Sequence, residues 1–559
     1  MPVLAALGLT PICRLPNTCR PVALWTQAQS RWSVLSRGLA YELANAGGDL
    51  ANKPAIVDAQ GEHSYARLQH DITKLRNSLL AQTKDHNLKE ERVAYLCPNG
   101  YHYVPTQWSI WASGGIAVPL SHLHPPAEME YFIRDSQAST LIYHPAFEST
   151  IEKLSPAVLS GLRVMNVVDA LSSAQETPHI EEPKISPDQR ALIIYTSGTT
   201  GKPKGVVTTH NIIATQVDIL VSSWNWTVTD RIHHVLPLHH VHGVINALNC
   251  GLASGATVEM APKFDADKVW KRWIEGPHNL TLFMAVPAMY SKLVQAYDKM
   301  SPENQARARE ACFQFRLMVS GSSALPSPLF NRWREISGHV LLERYGMTEI
   351  GMALGNSASD PELRKEGSVG YPFPGVALRL HDEQGNDVTS LHDTPGELLV
   401  AGPSVFKEYW NLPEKTAEAF TDQVWFKTGD TAAQDTTDGT WRILGRNSQD
   451  ILKSGGYKIS ALEIERELLA HPRIADVAVV GVSDDVLGQR ITAIIKEKPK
   501  VEGELEQLSP LTEEIIYQFC EPRMAKYKIP RAIKVIDYDV PRNAMGKINK
   551  KDLVRRFFG

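Results

Sequence analysis

The sequence predicts a two-domain protein, a large α/β domain followed by a smaller α+β domain, and three features carry that prediction. The chain has 559 residues, too many for one ordinary hydrophobic core. From about residue 38 to 445, short apolar runs such as Arg92–Cys97, Leu192–Tyr195 and Leu280–Val286 alternate with amphipathic stretches, the rhythm of strands and helices in an α/β region. Near Gly445–Ile451 the pattern changes. Short strands and turns, including Asp438-Gly439 before Trp441–Leu444, give way to a different series.

That series opens with Ser460-Ala461-Leu462-Glu463. The pattern predicts a capping box, Ser460 capping the first turn and Glu463 reaching back. Leu462, Leu468 and Leu469 lie along the helix it starts. Strand-like runs follow at Val477–Val482 and Ile491–Ile495, then a helix around Glu513–Cys520 and a long loop at Pro541–Lys547.

Composition excludes several classes. The hydrophobic fraction of 43% is globular and net charge is -4. With acidic and basic residues well mixed, no basic stripe offers nucleic acid a track. No apolar run approaches the ~18 residues of a membrane-spanning helix. The cysteines Cys13, Cys19, Cys97, Cys250, Cys312 and Cys520 are scattered without a C-x-x-C, which argues against a disulfide framework or zinc knuckle and for a reducing compartment. The amino end carries Arg14, Arg20, Arg31 and Arg37 and no acidic residue before Glu42. This is the composition of a mitochondrial transit peptide, placed at residues 1–37. The apolar stretch Val3–Leu9 is a weak secretory alternative, opposed by prolines, the later arginines and the unpaired cysteines.

The strongest chemical signal is Tyr195-Thr196-Ser197-Gly198-Thr199-Thr200-Gly201-Lys202-Pro203-Lys204-Gly205, directly after the apolar run Ala191–Ile194. Glycines let backbone N–H groups approach an anion, hydroxyls donate further hydrogen bonds, and Lys204 adds a point charge. Such a loop holds phosphates. It is neither a Walker A loop nor a G-x-G-x-x-G turn.

This segment resembles the phosphate loop of the adenylate-forming superfamily, which includes acyl-CoA synthetases, peptide-synthetase adenylation domains and luciferases. The resemblance runs from about residue 45 to the C-terminus, with the motifs in the family's order. It implies residues 38–446 as the adenylation domain and 447–559 as a mobile domain bearing the catalytic lysine. It implies ATP and CoA as co-substrates and Mg²⁺ as cofactor. In Glu343-Arg344-Tyr345-Gly346-Met347-Thr348-Glu349 it implies that Tyr345 lies near adenine, Thr348 touches the α-phosphate and Glu349 holds Mg²⁺. A metal held by one carboxylate plus substrate phosphates suits Mg²⁺. Asp430, in Trp425–Asp430, is implied to accept from the ribose hydroxyls, with Arg446 beside it, and Val319–Pro326 to supply an adenine-side loop with Gly321 to Ala324 against the base. Lys547, in Pro541–Lys547, matches the adenylation lysine that bridges the attacking carboxylate and the α-phosphate. Gln449–Ser460 resembles the hinge and thiolation loop. Asp450 is the hinge candidate, and Gly455 and Gly456 would let the pantetheine arm pass close to the backbone.

The acid is narrowed by two local features. Pro237–Gly243 places His239, His240 and His242 where the family's acyl pocket is lined, and Arg344 stands where many relatives have Gly. A guanidinium suits a substrate whose second carboxylate stays charged. With the arginine-bearing leader, these segments most resemble the mitochondrial malonate-activating branch. The expectation is therefore a malonate or methylmalonate ligase of the matrix, supplying mitochondrial fatty acid synthesis, with Arg344, His240 and Met347 at the acid. The alternative is a CoA ligase for another short- or medium-chain acid, whose apolar pocket has no use for Arg344. An amino-acid adenylation domain would want an acidic residue for the ammonium group. A non-catalytic ATP binder has no need of Lys204, Glu349, Asp430, Arg446 and Lys547 together.

Residues 1–37 fused to a reporter are expected to carry it into the mitochondrial matrix, read by fractionation. A secreted or nuclear reporter would show the leader to be misread.

Overall fold

The computed structural model describes residues 49–81, 83–173, 180–181, 183–196, 202–391, 394–422, 424–447, 449–455, 457–498, 510–542 and 548–559. The apolar runs of the large region become the strands of two mainly parallel sheets. One runs Tyr371–Pro372, Gly351–Gly355, Leu342–Met347, Leu317–Ser320, Leu282–Ala285, Arg231–His234, Thr257–Met260, Pro54–Asp58, Gly61–Ser64. The other runs Glu408–Tyr409, Lys204–Thr209, Arg190–Thr196, Ile116–Pro119, Arg92–Leu96, Thr140–Tyr143, Arg163–Asn166. Their central strands are buried on both faces, which is why they read as continuous apolar runs rather than as alternation.

Helices Tyr65–Leu80, Tyr103–Ala112 and His210–Ser223 and the π-helical stretch His242–Asn249 lie between the two sheets in one shared core. Polar tips in that core find backbone partners: Trp111 Nε1 donates to the Ala191 carbonyl at 2.7 Å and Tyr65 Oη to the Ala256 carbonyl at 2.6 Å. The outer face of the first sheet is covered by helices rich in aromatics. In Ala266–Glu275, capped by Asp265, residues Val269, Trp270 and Trp273 fall on one face and enter that layer with Trp333. A third, antiparallel sheet orders Ala377–His381, Gly396–Ala401, Trp425–Gln434 and Phe420–Thr421, with Trp441–Arg446 paired to Trp425–Gln434.

After Arg446 the chain enters a fourth sheet with its own core. The hairpin Ile451–Ser454/Tyr457–Ser460 adjoins Gly488–Glu497, which pairs antiparallel with Ile474–Asp484 and parallel with Ala532–Ile536. The helix expected around Glu513–Cys520 spans those residues. Buried Cys97, Cys250, Cys312 and Cys520 are all free thiols. No helix among the described residues is long and apolar enough to cross a membrane.

The capping box forms only in half. Ser460 Oγ accepts the Glu463 N–H at 3.1 Å and also donates to the Leu444 carbonyl. Glu463 does not reach back, because its carboxylate pairs with Lys528 at 2.6 Å. The buried face of the helix Ala461–Leu469 is Ala461, Ile464, Glu465 and Leu468, with Leu462 and Leu469 at its margins. Ser460→Ala should therefore lower stability by about 1–2 kcal/mol in chemical denaturation. Glu463→Gln should cost no more than about 0.5 kcal/mol, as an exposed ion pair does. Equal losses would restore the full box.

Candidate active site

The strand Leu342–Met347 organises the site. It lies parallel to Leu317–Ser320, with Ser320 opposite Glu343, and antiparallel to Gly351–Gly355, with Tyr345 opposite Leu354. Side chains alternate across a strand, so Glu343 and Arg344 face opposite ways and cannot pair. Glu343 accepts the Gly367 N–H at 3.3 Å, and burial pushes its carboxyl up to about 7.

Arg344 is 4% exposed. Its Nη2 donates to Ser322 Oγ at 3.3 Å, its Nε is buried without an acceptor, and no carboxylate among the described residues pairs with it. Burial alone draws its guanidinium down to about 9. An arginine keeps its proton under all ordinary conditions, so that pull is a destabilisation of the charged side chain. The surroundings are shaped to admit it. A Cβ at Gly321 would stand 2.5 Å from Arg344 Cζ and Nε. Ser322 adopts φ +72°, uncommon for a residue with a side chain.

Ser322 Oγ also lies 3.3 Å from His242 Nδ1. The hydroxyl accepts from Arg344 and is free to turn its own proton to Nδ1. His242 is then neutral with its proton on Nε2, and burial with the adjacent guanidinium holds it well below the usual histidine range. His242 Nε2 has no partner. Arg344 and His242 thus leave two buried donors unanswered, which is the complement of a carboxylate.

A second cluster is assembled by the third sheet. Strands Trp425–Gln434 and Trp441–Arg446 set Asp430 directly opposite Arg446, with Nε 3.2 Å from Oδ1. Tyr345 Oη donates to Asp430 Oδ2 at 2.5 Å. Arg344 and Tyr345 therefore serve two compartments from adjacent positions. Glu349 is 6% exposed and accepts from Tyr409 Oη at 3.1 Å. Burial raises its carboxyl, opposed by Tyr409, Arg446 and Lys204. Lys204 lies 4.0 Å over the Tyr409 ring, because Lys204–Thr209 pairs with Glu408–Tyr409. Thr348 and Met347 are half-buried beside Glu349.

The stem of the phosphate loop is held on both sides. Thr196 pairs with Lys204 in register, Tyr131 Oη donates to the Pro203 carbonyl at 2.8 Å, and Lys202 lies 5.5 Å over the Tyr131 ring. Ser197, Gly198, Thr199, Thr200 and Gly201 lie outside the described residues, as do Gly456 and Lys547. Gly455 sits at the tip of the hairpin with φ +58°. Asp450 follows directly on Arg446 in a tight turn, its Oδ2 accepting the Arg446 N–H at 3.0 Å. His240 lies tilted against His239, with ring centroids 4.0 Å apart, and His239 in turn meets His124 edge-on at 5.2 Å. The imidazole that shares a hydroxyl with Arg344 is His242. Sequence reasoning set His242 among the pocket histidines but gave the acid to His240, assigned Ser322 to an adenine-side loop, and passed over Tyr409. For Ser322 and Tyr409 no local signal exists, since each matters only through a partner at least 22 residues away.

Residues 44–410 match the AMP-binding enzyme family and residues 463–547 the AMP-binding enzyme C-terminal domain. The mitochondrial malonate–CoA ligase ACSF3 of Mus musculus is 45% identical over 532 residues, covering 90% of this chain and 88% of that protein. ATP-bound MatB from Rhodopseudomonas palustris superposes with a TM-score of 0.79 at 31% identity, over 93% of this chain and 98% of that one. A malonyl-CoA ligase ternary product complex with methylmalonyl-CoA and AMP superposes with a TM-score of 0.62 at 32% identity, over 89% and 98%.

A buried cation without a counter-ion destabilises the ligand-free fold. Replacing it with an apolar residue of similar length should stabilise that state by about 1–4 kcal/mol. Ligand-free Arg344→Met is accordingly expected to melt above the native protein. A lower melting temperature would make Arg344 a structural residue.

Proposed function

This chain belongs to the AMP-binding enzyme family, and from that premise we propose that it is an ATP-dependent malonate–CoA ligase. Malonate and ATP give malonyl-AMP and pyrophosphate, and CoA then takes the acyl group to give malonyl-CoA and AMP. The observation that carries the choice of acid is the buried Arg344 guanidinium, which pairs with no carboxylate among the described residues. Malonate offers little apolar area, so its recognition rests on its second carboxylate. A planar guanidinium grips that group with two parallel donors, which an ammonium cannot do. With the distal carboxylate held there, the other is the one left to meet the α-phosphate, a gain of orientation rather than of binding alone.

In this reading Thr196, Ser197, Gly198, Thr199, Thr200, Gly201, Lys202, Pro203 and Lys204 hold the phosphates of ATP. Asp430 accepts from the ribose hydroxyls, already oriented by Tyr345 and Arg446. Thr348 contacts the α-phosphate. Glu349 fits Mg²⁺: it is a buried carboxylate whose hydrogen-bond donor is a neutral phenol, and Mg²⁺ needs one or two carboxylates plus substrate phosphates. Bound there, Mg²⁺ would neutralise phosphate charge. Lys547 bridges the attacking carboxylate and the α-phosphate, countering charge that develops in the transition state. The small domain, residues 447–559, then turns on Asp450 relative to residues 38–446. Lys547 withdraws, and Gly455 and Gly456 line the path of the pantetheine arm.

Methylmalonate differs by one methyl near Met347. Such a difference is worth only ~1–3 kcal/mol, so it is a second substrate. The enzyme works in the mitochondrion, delivered to the matrix by residues 1–37, and supplies malonyl units to fatty acid synthesis there.

The test is pyrophosphate release with malonate, methylmalonate, succinate, acetate, butyrate and octanoate, in the native enzyme and in Arg344→Gly. Malonate should lead in the native enzyme. Arg344→Gly should remove about 2–5 kcal/mol of transition-state stabilisation for malonate and far less for butyrate. An unchanged malonate-to-butyrate ratio of kcat/KM in a well-folded variant would sink the assignment of Arg344 to the acid.

A further inference from the structure

Thr348 and Glu349 stand in the turn that joins the strands Leu342–Met347 and Gly351–Gly355. One side of this turn is held by residues 404–406. Ser404 Oγ donates to the Ile350 carbonyl at 2.9 Å, and the Phe406 N–H to the Glu349 carbonyl at 2.7 Å. The exit of the turn is held by Gln216, whose Oε1 accepts the Met352 N–H at 2.7 Å. Gln216 is only 3% exposed. Glycine and glutamine fit each other there: Gly351 has φ +63°, and a Cβ on it would collide with Gln216 Oε1.

Gln216 comes from the helix His210–Ser223, which Thr209 caps by accepting the Ile212 N–H at 3.2 Å. That helix follows directly on the strand Lys204–Thr209, so one continuous strand and helix carry both Lys204 and Gln216. On the buried face of the helix Ile213, Val217 and Leu220 are apolar, and a methionine would fill the place of Gln216 as well as the amide does. Packing therefore does not call for a glutamine. The Met352 N–H does, because Met352 is buried and a buried donor without an acceptor is costly. The other end of the amide, Nε2, has no partner among the described residues, and neither have Thr208 Oγ1 and both amide atoms of Asn246. These three residues line, with Thr348 and Gly351, a cavity of about 20 Å³, room for one water molecule. Strand, helix and turn thus meet at one glutamine.

We propose that Gln216 is a positioning residue for adenylation, which through the Met352 N–H fixes the turn bearing Thr348 and Glu349 relative to the strand that begins at Lys204. The proposal rests on the reading of Thr348, Glu349 and Lys204 above. Gln216 touches no substrate. It acts by fixing where groups that do touch substrate stand with respect to one another, and a misplacement of about 1 Å at such a group costs on the order of 10²-fold in rate.

The experiment measures malonate-dependent ATP–pyrophosphate exchange in purified full-length enzyme, with folding checked by thermal melts. Gln216→Met removes the acceptor at nearly constant volume, and Gln216→Asn withdraws it by one methylene. Gln216→Glu keeps it, since a carboxyl accepts from an N–H in either protonation state. The Met and Asn variants should lower kcat by about 10²-fold and leave the KM for malonate within about threefold, because Arg344 is seated on Gly321 and Ser322, away from this turn. The Glu variant should recover most of the rate. A second readout needs no turnover: the gain in ATP affinity on adding Mg²⁺, read by calorimetry without malonate, should shrink in the Met and Asn variants and persist in the Glu variant. If Gln216→Met does not fold, Asn against Glu carries the same comparison. An unchanged kcat in well-folded Met and Asn variants, a loss in the Glu variant as large as theirs, or a malonate KM that rises as far as kcat falls would overturn the proposal. Glu349→Gln is the control on the reading beneath it: unchanged exchange and an unchanged Mg²⁺ gain in that variant would overturn the role of Glu349 instead.

Discussion

A guanidinium that keeps its proton in a closed site needs an anion, and the described residues provide none for Arg344. Its contacts are a serine hydroxyl in a strained turn and, through that hydroxyl, a neutral histidine with a spare donor. In the protein interior this arrangement is unfavourable by itself. A carboxylate entering beside it would offset that cost. Function takes precedence over stability at this point, as it commonly does at active sites.

The rest of the site is arranged around the strand that bears this residue. Along Leu342–Met347 the alternation of a strand sends Glu343 to one side and Arg344 to the other, while Tyr345 reaches Asp430. The cluster at Arg344 and the cluster at Asp430 therefore share a wall one residue thick. The third sheet completes the wall by setting Asp430 opposite Arg446, and the hinge turn begins at once, with Asp450 bonded to Arg446. The Asp430–Arg446 pair and the start of the small domain are thus joined through four residues of chain.

Much of this was legible in the sequence because it is local. The apolar runs at Arg92–Cys97, Leu192–Tyr195 and Leu280–Val286 are strands because continuous burial leaves no other pattern. The helix over Glu513–Cys520 and the strands over Val477–Val482 and Ile491–Ile495 appear where periodicity placed them. The capping box was half right: a serine that can cap does so, but the partner role of Glu463 was lost to Lys528, which is far away in sequence and close in space.

The sequence by itself determined the two-domain α/β plan, the order of the family's motifs and the presence of an arginine directly before Tyr345. Each depends on residue type and spacing within a few positions. Only the tertiary structure decided that Arg344 has no counter-ion among the described residues, that Ser322 and His242 stand near it, that Tyr409 supports Glu349, and that Lys550 lies between Asp450 and Glu465. These are statements about what is missing or present across long chain separations. Whether a buried charge is paired depends on which distant strands and turns the fold brings to it.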